Sequence, residues 1–312
     1  MREPSMWPLL LLAIYSGLIV LASLAGGWIP LFVRLTHTRL QIAISFVAGL
    51  MLGVGLLHLL PHAWQKLRSI DGAAGWLMGG FLAMFFIQRF FHFHHHDVPD
   101  EAGEATEEPA HDVSPSEHAH HHHGQTLAEQ SARRLSWTGA ALGLTLHTLI
   151  DGVALAASVR AEAGIAGAGA FLGLGTFLVI ILHKPFDAMA IGTLMAAGGW
   201  SRISRHLVNG LFALAIPLGV TLFDLAANRL GGPGDQFLGS ALAFAAGSFL
   251  CISTSDLLPE LQFHAHDRWK LSFALLAGLG LSALVGRFET SGHDHLPHTP
   301  SAESSPVRKP TP

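Results

Sequence analysis

Charge is scarce in this chain. Only 13% of its 312 residues are Asp, Glu, Lys or Arg, against about 25% in soluble domains. Half of the residues are hydrophobic, and together these figures exclude a soluble globular protein and predict an integral membrane one. Cysteine is almost absent too. Cys251 is alone and sits in an apolar run, which excludes an intramolecular disulfide and a thiolate metal cluster within one chain. No clear small-residue cleavage site follows the first apolar run, so that run reads as a transmembrane helix and not as a signal peptide. The formal charge of −4 says little, because 21 histidines are counted as neutral in it.

What is abundant is apolar length. Eight runs are long enough to span a bilayer at about 20 residues each. They are expected near 7–33, 41–64, 74–92, 136–159, 167–196, 207–228, 237–260 and 269–288. Ala- and Gly-rich stretches at 139–143, 163–175 and 243–247 suit close helix packing in lipid. The chain then divides into spans one to three (1–92), a loop (93–135), spans four and five (136–200), spans six to eight (201–289) and a tail (290–312). Nine Lys and Arg flank the spans on the loop side, against six on the side of the termini. The positive-inside rule therefore expects a cytoplasmic 93–135 loop, extracytoplasmic termini and a multi-pass protein of the cell membrane.

Two of these spans carry ionisable groups where they are most costly. Span four reads His147-Thr-Leu-Ile-Asp151-Gly152 and span five reads His183-Lys-Pro-Phe-Asp187-Ala188. In each, an imidazole and a carboxylate stand four residues apart, on one helix face. An ionisable side chain at the bilayer centre costs about 2.5–3.5 kcal/mol on insertion scales. Two such faces brought together make a divalent-cation site of mixed N/O character. It suits Zn²⁺ and also Fe²⁺, Mn²⁺, Co²⁺ or Cd²⁺, and it lacks the soft sulfur ligands of copper(I). His147, Asp151, His183 and Asp187 are the expected metal ligands. A lone intramembrane histidine would more often be a hydrogen-bonded interhelical one; the repetition of the pair argues against that. Pro185 leaves the carbonyl of Ile181 without its helical partner, either as part of an ion site in a kinked helix or as a proline tolerated by neighbouring helices.

An internal repeat frames this centre. Residues 46–63, FVAGLMLGVGLLHLLPHA, and 244–261, FAAGSFLCISTSDLLPEL, agree at seven of eighteen positions. They fall in spans two and seven, which cross in opposite directions. The sequence thus predicts an all-α membrane fold with an inverted repeat, spans one to three mirroring six to eight around spans four and five. His58 and His62 end one copy; Asp256 and Glu260 end the other. Each pair reads as relay ligands on the ion path, or as helix-end polar groups meeting headgroup water. Asp224 in span six faces either the site edge or Arg229. The 93–135 loop is rich in histidine and carboxylate and poor in anything to bury, so it is expected to be disordered. Its run His120, His121, His122 and His123 is expected to bind metal loosely. The Pro/Ser-rich tail 290–312 is read as disordered as well.

Taken in this order, the motifs resemble those of the ZIP (ZRT/IRT-like) metal transporters. The run 46–63 resembles their second span, His147 to Gly152 their span-four motif His-Asn/Ser-x-x-Asp/Glu-Gly, and Asp256-Leu-Leu-Pro-Glu260 their seventh span. The resemblance covers nearly all of 7–288, and it implies a homodimer. In relatives with two metals, the residues matching Thr148 and Lys184 help hold the second ion. Here Lys184 departs from the pattern, since a protonated ammonium cannot ligate a metal. Lys184 is therefore expected to stand in for the second cation and to bridge Asp151 and Asp187, unless it snorkels or pairs elsewhere.

The expected function is secondary transport of Zn²⁺, or another divalent metal, into the cytoplasm, with the ion as substrate. No organic cofactor, no nucleic-acid partner and no enzymatic activity are expected. The competing expectations are an intramembrane zinc hydrolase, with three ligands and an activated water, and a metal receptor that does not transport.

Overall fold

The computed structural model describes residues 6–28, 37–91, 127–165, 170–229, 234–257 and 268–290. Among the described residues the regular structure is helical throughout. Eight helices are long and apolar enough to cross a membrane: Met6–Gly26, Thr38–Leu67, Ile70–Phe90, Trp137–Ala163, Leu174–Ala197, Arg202–Arg229, Asp235–Ser255 and Arg268–Arg287. These are spans one to eight. Large apolar side chains such as Trp76, Ile203, Trp269 and Phe273 are exposed on the outside, as lipid-facing positions can be. His120 to His123, Glu260, the side chain of Asp256 and the tail from 291 lie outside the described residues.

The inverted repeat is visible in the packing. Span two packs along span eight, and span three along span seven. Both contacts use glycines that let backbones touch. A Cβ on Gly49 would strike the carbonyl of Leu275, and one on Gly278 that of Phe46. In the mirror contact, a Cβ on Gly247 would strike the carbonyl of Leu77, and one on Gly80 that of Phe244. Each residue of the second set stands at the sequence offset that relates 46–63 to 244–261. Span one likewise packs on span five, and span six on span four. The eight spans therefore sort into two groups, one of spans one, four, five and six and one of spans two, three, seven and eight. Sequence reasoning set spans four and five between the repeats; they pack within a group that takes one outer span from each half.

Both copies of the repeat also contain a π-helical segment, Val54–Leu59 and Ser253–Leu257. In the first, the Leu60 N–H reaches back to the Gly55 carbonyl, one residue beyond the α-helical partner. Each segment ends just ahead of a Leu-Pro pair, Leu60-Pro61 and Leu258-Pro259. A proline removes one ladder donor and crowds the preceding turn, and a wider turn upstream is one way to accommodate it. Such bulges are frequent at functional sites.

Boundaries differ from the sequence expectation at three places that matter. The helix of span four starts at Leu127 and runs to Ala163, because residues 127–132 are mostly good helix formers and nothing breaks the chain before the apolar run. Its end is extended past 159 by charged residues that find partners, Arg160 and Glu162. Span five starts at Leu174, after Gly173 in a left-handed conformation (φ 69°), and not at the expected 167. Span six breaks at Leu214 into Arg202–Ala213 and Ala215–Arg229, three residues ahead of Pro217.

The glycine contacts give a direct stability test. Gly247→Ala forces a methyl into a backbone crossing, and overpacking of this kind costs about 1–3 kcal/mol. A lowered unfolding midpoint in detergent is expected. Gly17 has no atom within 4 Å of an added Cβ, so Gly17→Ala is expected to leave the midpoint unchanged or to raise it slightly. Equal midpoints for the two variants would contradict the crossing geometry.

Candidate metal site

Span four presents His147 and Asp151, and span five presents His183 and Asp187, on facing sides. Gly152, next to Asp151, is where span six closes on span four: an added Cβ there would approach the Ile216 carbonyl and the Gly219 Cα within 3 Å. At the other flank, Gly26 of span one closes onto the backbone of Pro185. The helix of span five runs through Pro185 without a break, and span one meets its backbone there. These glycine crossings squeeze spans four and five together over their ionisable faces.

The four predicted ligands meet in a crossed, nearly symmetric arrangement. His147 Nε2 lies 3.4 Å from Asp151 Oδ2 and 3.9 Å from Asp187 Oδ2. His183 Nε2 lies 3.3 Å and 3.8 Å from the same two atoms. The imidazole centroids are 5.4 Å apart. One ligand atom each from His147, His183 and Asp187 falls within 4.8 Å of the others. Bonds to zinc of about 2.1 Å in a tetrahedron require ligand atoms about 3.4 Å apart; the four N···O separations of 3.3 to 3.9 Å lie near that value, while Asp151 stands outside the group of three that closes within 4.8 Å.

Protonation is partly fixed by the backbone. His183 Nδ1 lies 2.8 Å from the Val179 carbonyl. A carbonyl only accepts, so Nδ1 donates, and Nε2 of the neutral ring turns its lone pair toward the carboxylates. Two acceptors then face each other at 3.3 Å across His183 and Asp151, an arrangement that a shared proton or a cation between them stabilises. His147 Nδ1 and Asp151 Oδ1 are buried without a hydrogen-bond partner, which buried polar atoms seldom are.

Lys184 sits at the base of this group, fully buried. Its ammonium donates to Asp187 Oδ2 at 2.9 Å, Asp151 Oδ2 at 3.0 Å and Thr148 Oγ1 at 2.7 Å. All three ammonium protons are used. Thr148 in turn donates to the Leu144 carbonyl at 2.6 Å. Lys184 also lies 5.3 Å from the ring centroid of Phe212 in span six, within cation–π range. The lysine therefore does not snorkel; it bridges both carboxylates. Thr148 and Lys184 occupy equivalent places on the two helices, just as His147 matches His183 and Asp151 matches Asp187. The lysine is the one large break in that symmetry.

Other expectations resolve around the centre. Asp224 neither reaches the site edge nor pairs with Arg229; it accepts from Arg160 Nε at 2.7 Å, and that pair ties span six to the end of span four. His58 and His62 lie together with their rings 4.8 Å apart, and His58 contacts Glu162 of span four. Sequence reasoning missed Glu162 and Phe212. Glu162 was legible in principle: residues 147, 151, 158 and 162 recur at 4, 7 and 4, one face of a helix. The expected end of span four at 159 left it outside the helix.

The comparisons with known proteins agree with one another. A Xenopus tropicalis protein called zinc transporter ZIP9 is 25% identical over 89% of this chain and 98% of its own length. Human zinc transporter ZIP13 is 26% identical over 89% of this chain and 76% of its own. Zinc transporter 3 of Arabidopsis thaliana is 25% identical over 78% and 73%. A family model described as ZIP zinc transporter matches residues 9–286. That match takes in both halves of the repeat and the ligand helices, so the chain belongs to the ZIP zinc transporter family.

Proposed function

We propose that the protein imports Zn²⁺ into the cytoplasm, one ion at a time, through the centre formed by His147, Asp151, His183 and Asp187. The observation that carries this reading is the crossed set of two imidazoles and two carboxylates, with N···O separations of 3.3 to 3.9 Å, in the middle of two apolar spans. Relatives named as zinc transporters support zinc as the substrate. Fe²⁺, Mn²⁺ and Cd²⁺ share enough ligand chemistry to compete. Four protein ligands and an inverted repeat suit a transit site better than a hydrolase, which needs an open position for water and only one-sided access.

Lys184 gives this centre its charge logic. With the ion bound, two carboxylates and a divalent metal cancel and the lysine remains as one positive charge. Without it, the lysine offsets half of the carboxylate charge, which lowers the cost of the empty centre in a low-dielectric environment. In this account the ammonium holds the place of a second cation. Inward movement is favoured by a negative interior, at about 4.6 kcal/mol per 100 mV for two charges. The excess of basic residues on the loop side supports the orientation, with the loop cytoplasmic and the termini outside.

The test is uptake of a panel of divalent metals into proteoliposomes containing the purified protein. Saturable Zn²⁺ entry is expected; release of a cleaved product without metal entry would favour the hydrolase. Deleting residues 97–123 is expected to leave uptake intact, because no ligand of the centre lies there, and to change only how metal is buffered at the exit. A deleted protein that inserts and never transports would contradict this.

A further inference from the structure

A second ligand cluster sits at the C-terminal end of span four. His58 and His62 come from span two and Glu162 from span four, and one ligand atom of each lies within 4.8 Å of the others. His58 and Glu162 are buried. Asp151 and Glu162 stand eleven residues apart on one helix face, which is about 16 Å along the axis. One ion cannot touch both clusters.

The carboxylate is held as a metal ligand would be. Glu162 Oε2 accepts from the Gly173 N–H at 2.9 Å, which fixes one oxygen at the start of span five. Its other oxygen, Oε1, is turned to His58 Nε2 at 3.1 Å and to Ser158 Oγ at 3.3 Å. Ser158 is itself held by Thr176 of span five at 3.1 Å. Anchoring of this kind from outside the ligand set is the usual way a metal ligand is oriented. A plain helix cap would need only the first of these contacts. It would not require His58, on a π-helical segment, against the second oxygen, nor His62 within 4.8 Å of the pair.

We infer that His58, His62 and Glu162 form a separate capture site for a divalent cation, taken as two nitrogens and one carboxylate with the remaining position left to water. The inference rests on the transport reading above and adds a waiting place ahead of the centre. Three protein ligands leave an exchangeable position, so an ion held here is still partly hydrated and is released more readily than from the four-ligand centre. In the proposed orientation the site lies at the extracytoplasmic mouth. The position that mirrors Glu162, by the offset relating His147 to His183, is Gly198, just past the helix of span five, so the sequence supplies no matching carboxylate there.

Equilibrium binding of radioactive zinc to the full-length protein, with uptake kinetics in proteoliposomes, tests this. Glu162→Gln keeps an acceptor for the Gly173 N–H and removes the anionic ligand; His62→Ala removes a nitrogen and leaves the cap alone. Each is expected to lose one bound zinc per chain relative to wild type and to raise KM for zinc about tenfold, with Vmax changed by no more than about twofold. Unchanged zinc stoichiometry and KM in both variants would overturn the capture site. So would a Glu162→Gln protein that binds one zinc fewer only because uptake and folding are lost together, while His62→Ala matches wild type. Failure of the central reading looks different: it would leave Asp151→Asn with full Vmax, whatever the mouth variants do.

Discussion

Alanine at any one of His147, Asp151, His183 or Asp187 is expected to cut Zn²⁺ uptake by at least about tenfold, since even residues that only support a ligand are worth 10- to 100-fold. Each substitution removes one corner of a four-cornered set whose N···O separations run from 3.3 to 3.9 Å. The two histidine variants are the cleaner pair. They leave the Lys184 contacts with both carboxylates in place, so insertion and folding should persist. The Asp151 variant removes a partner from a fully buried ammonium, and a broken buried pair costs about 3–5 kcal/mol. Asp151→Asn keeps an oxygen acceptor for the lysine and separates the two effects. Proteoliposome uptake at matched protein levels is the measurement. Full activity in any two of the four alanine variants would remove the assignment.

Lys184→Met carries the second large effect, and it acts on the empty protein first. The lysine holds Asp151 and Asp187 at 3.0 and 2.9 Å. Without it, two carboxylates would share a buried site with no cation between them, where like charges repel strongly. The metal-free variant is expected to unfold at a markedly lower temperature than the metal-free wild type, by the loss of about 3–5 kcal/mol that a broken buried pair brings. Zinc should recover much of the difference, because a ligand bound only by the folded state stabilises it. Uptake should slow, limited by release of the ion and return of the empty centre. Lys184→Glu is expected instead to admit a second metal, since it supplies oxygen ligands where the ammonium stood. A Lys184→Met protein with wild-type stability, with and without zinc, would contradict the bridging role.

How far the sequence led can be seen at single residues. His147, Asp151, His183 and Asp187 were legible because the helical period puts positions four apart on one face, and because their cost in a membrane span demands a reason. The repeat was legible from 46–63 and 244–261, yet the pairing of Gly49 with Leu275 and of Gly247 with Leu77 was not, since spacing names the small residues and not the helix they meet. Asp224 stayed open between two partners because its partner, Arg160, lies one residue beyond the expected end of span four. Glu162 was passed over for the same reason: a charged helix end reads as loop until the histidine that faces it, from a span a hundred residues earlier, is in view. Phe212 gave no signal, being one apolar residue among many in span six until a lysine was found near its ring.

The claim on which the rest depends is that one divalent ion, and not two, occupies the centre while Lys184 fills the second cation's place. Anomalous diffraction at the zinc edge from crystals of the wild-type protein grown with zinc measures it directly. The account predicts a single central peak, within bonding distance of His147, His183 and the two aspartates, with the Lys184 ammonium beside it. Two peaks in the centre, with Lys184 swung away from Asp151 and Asp187, would contradict it.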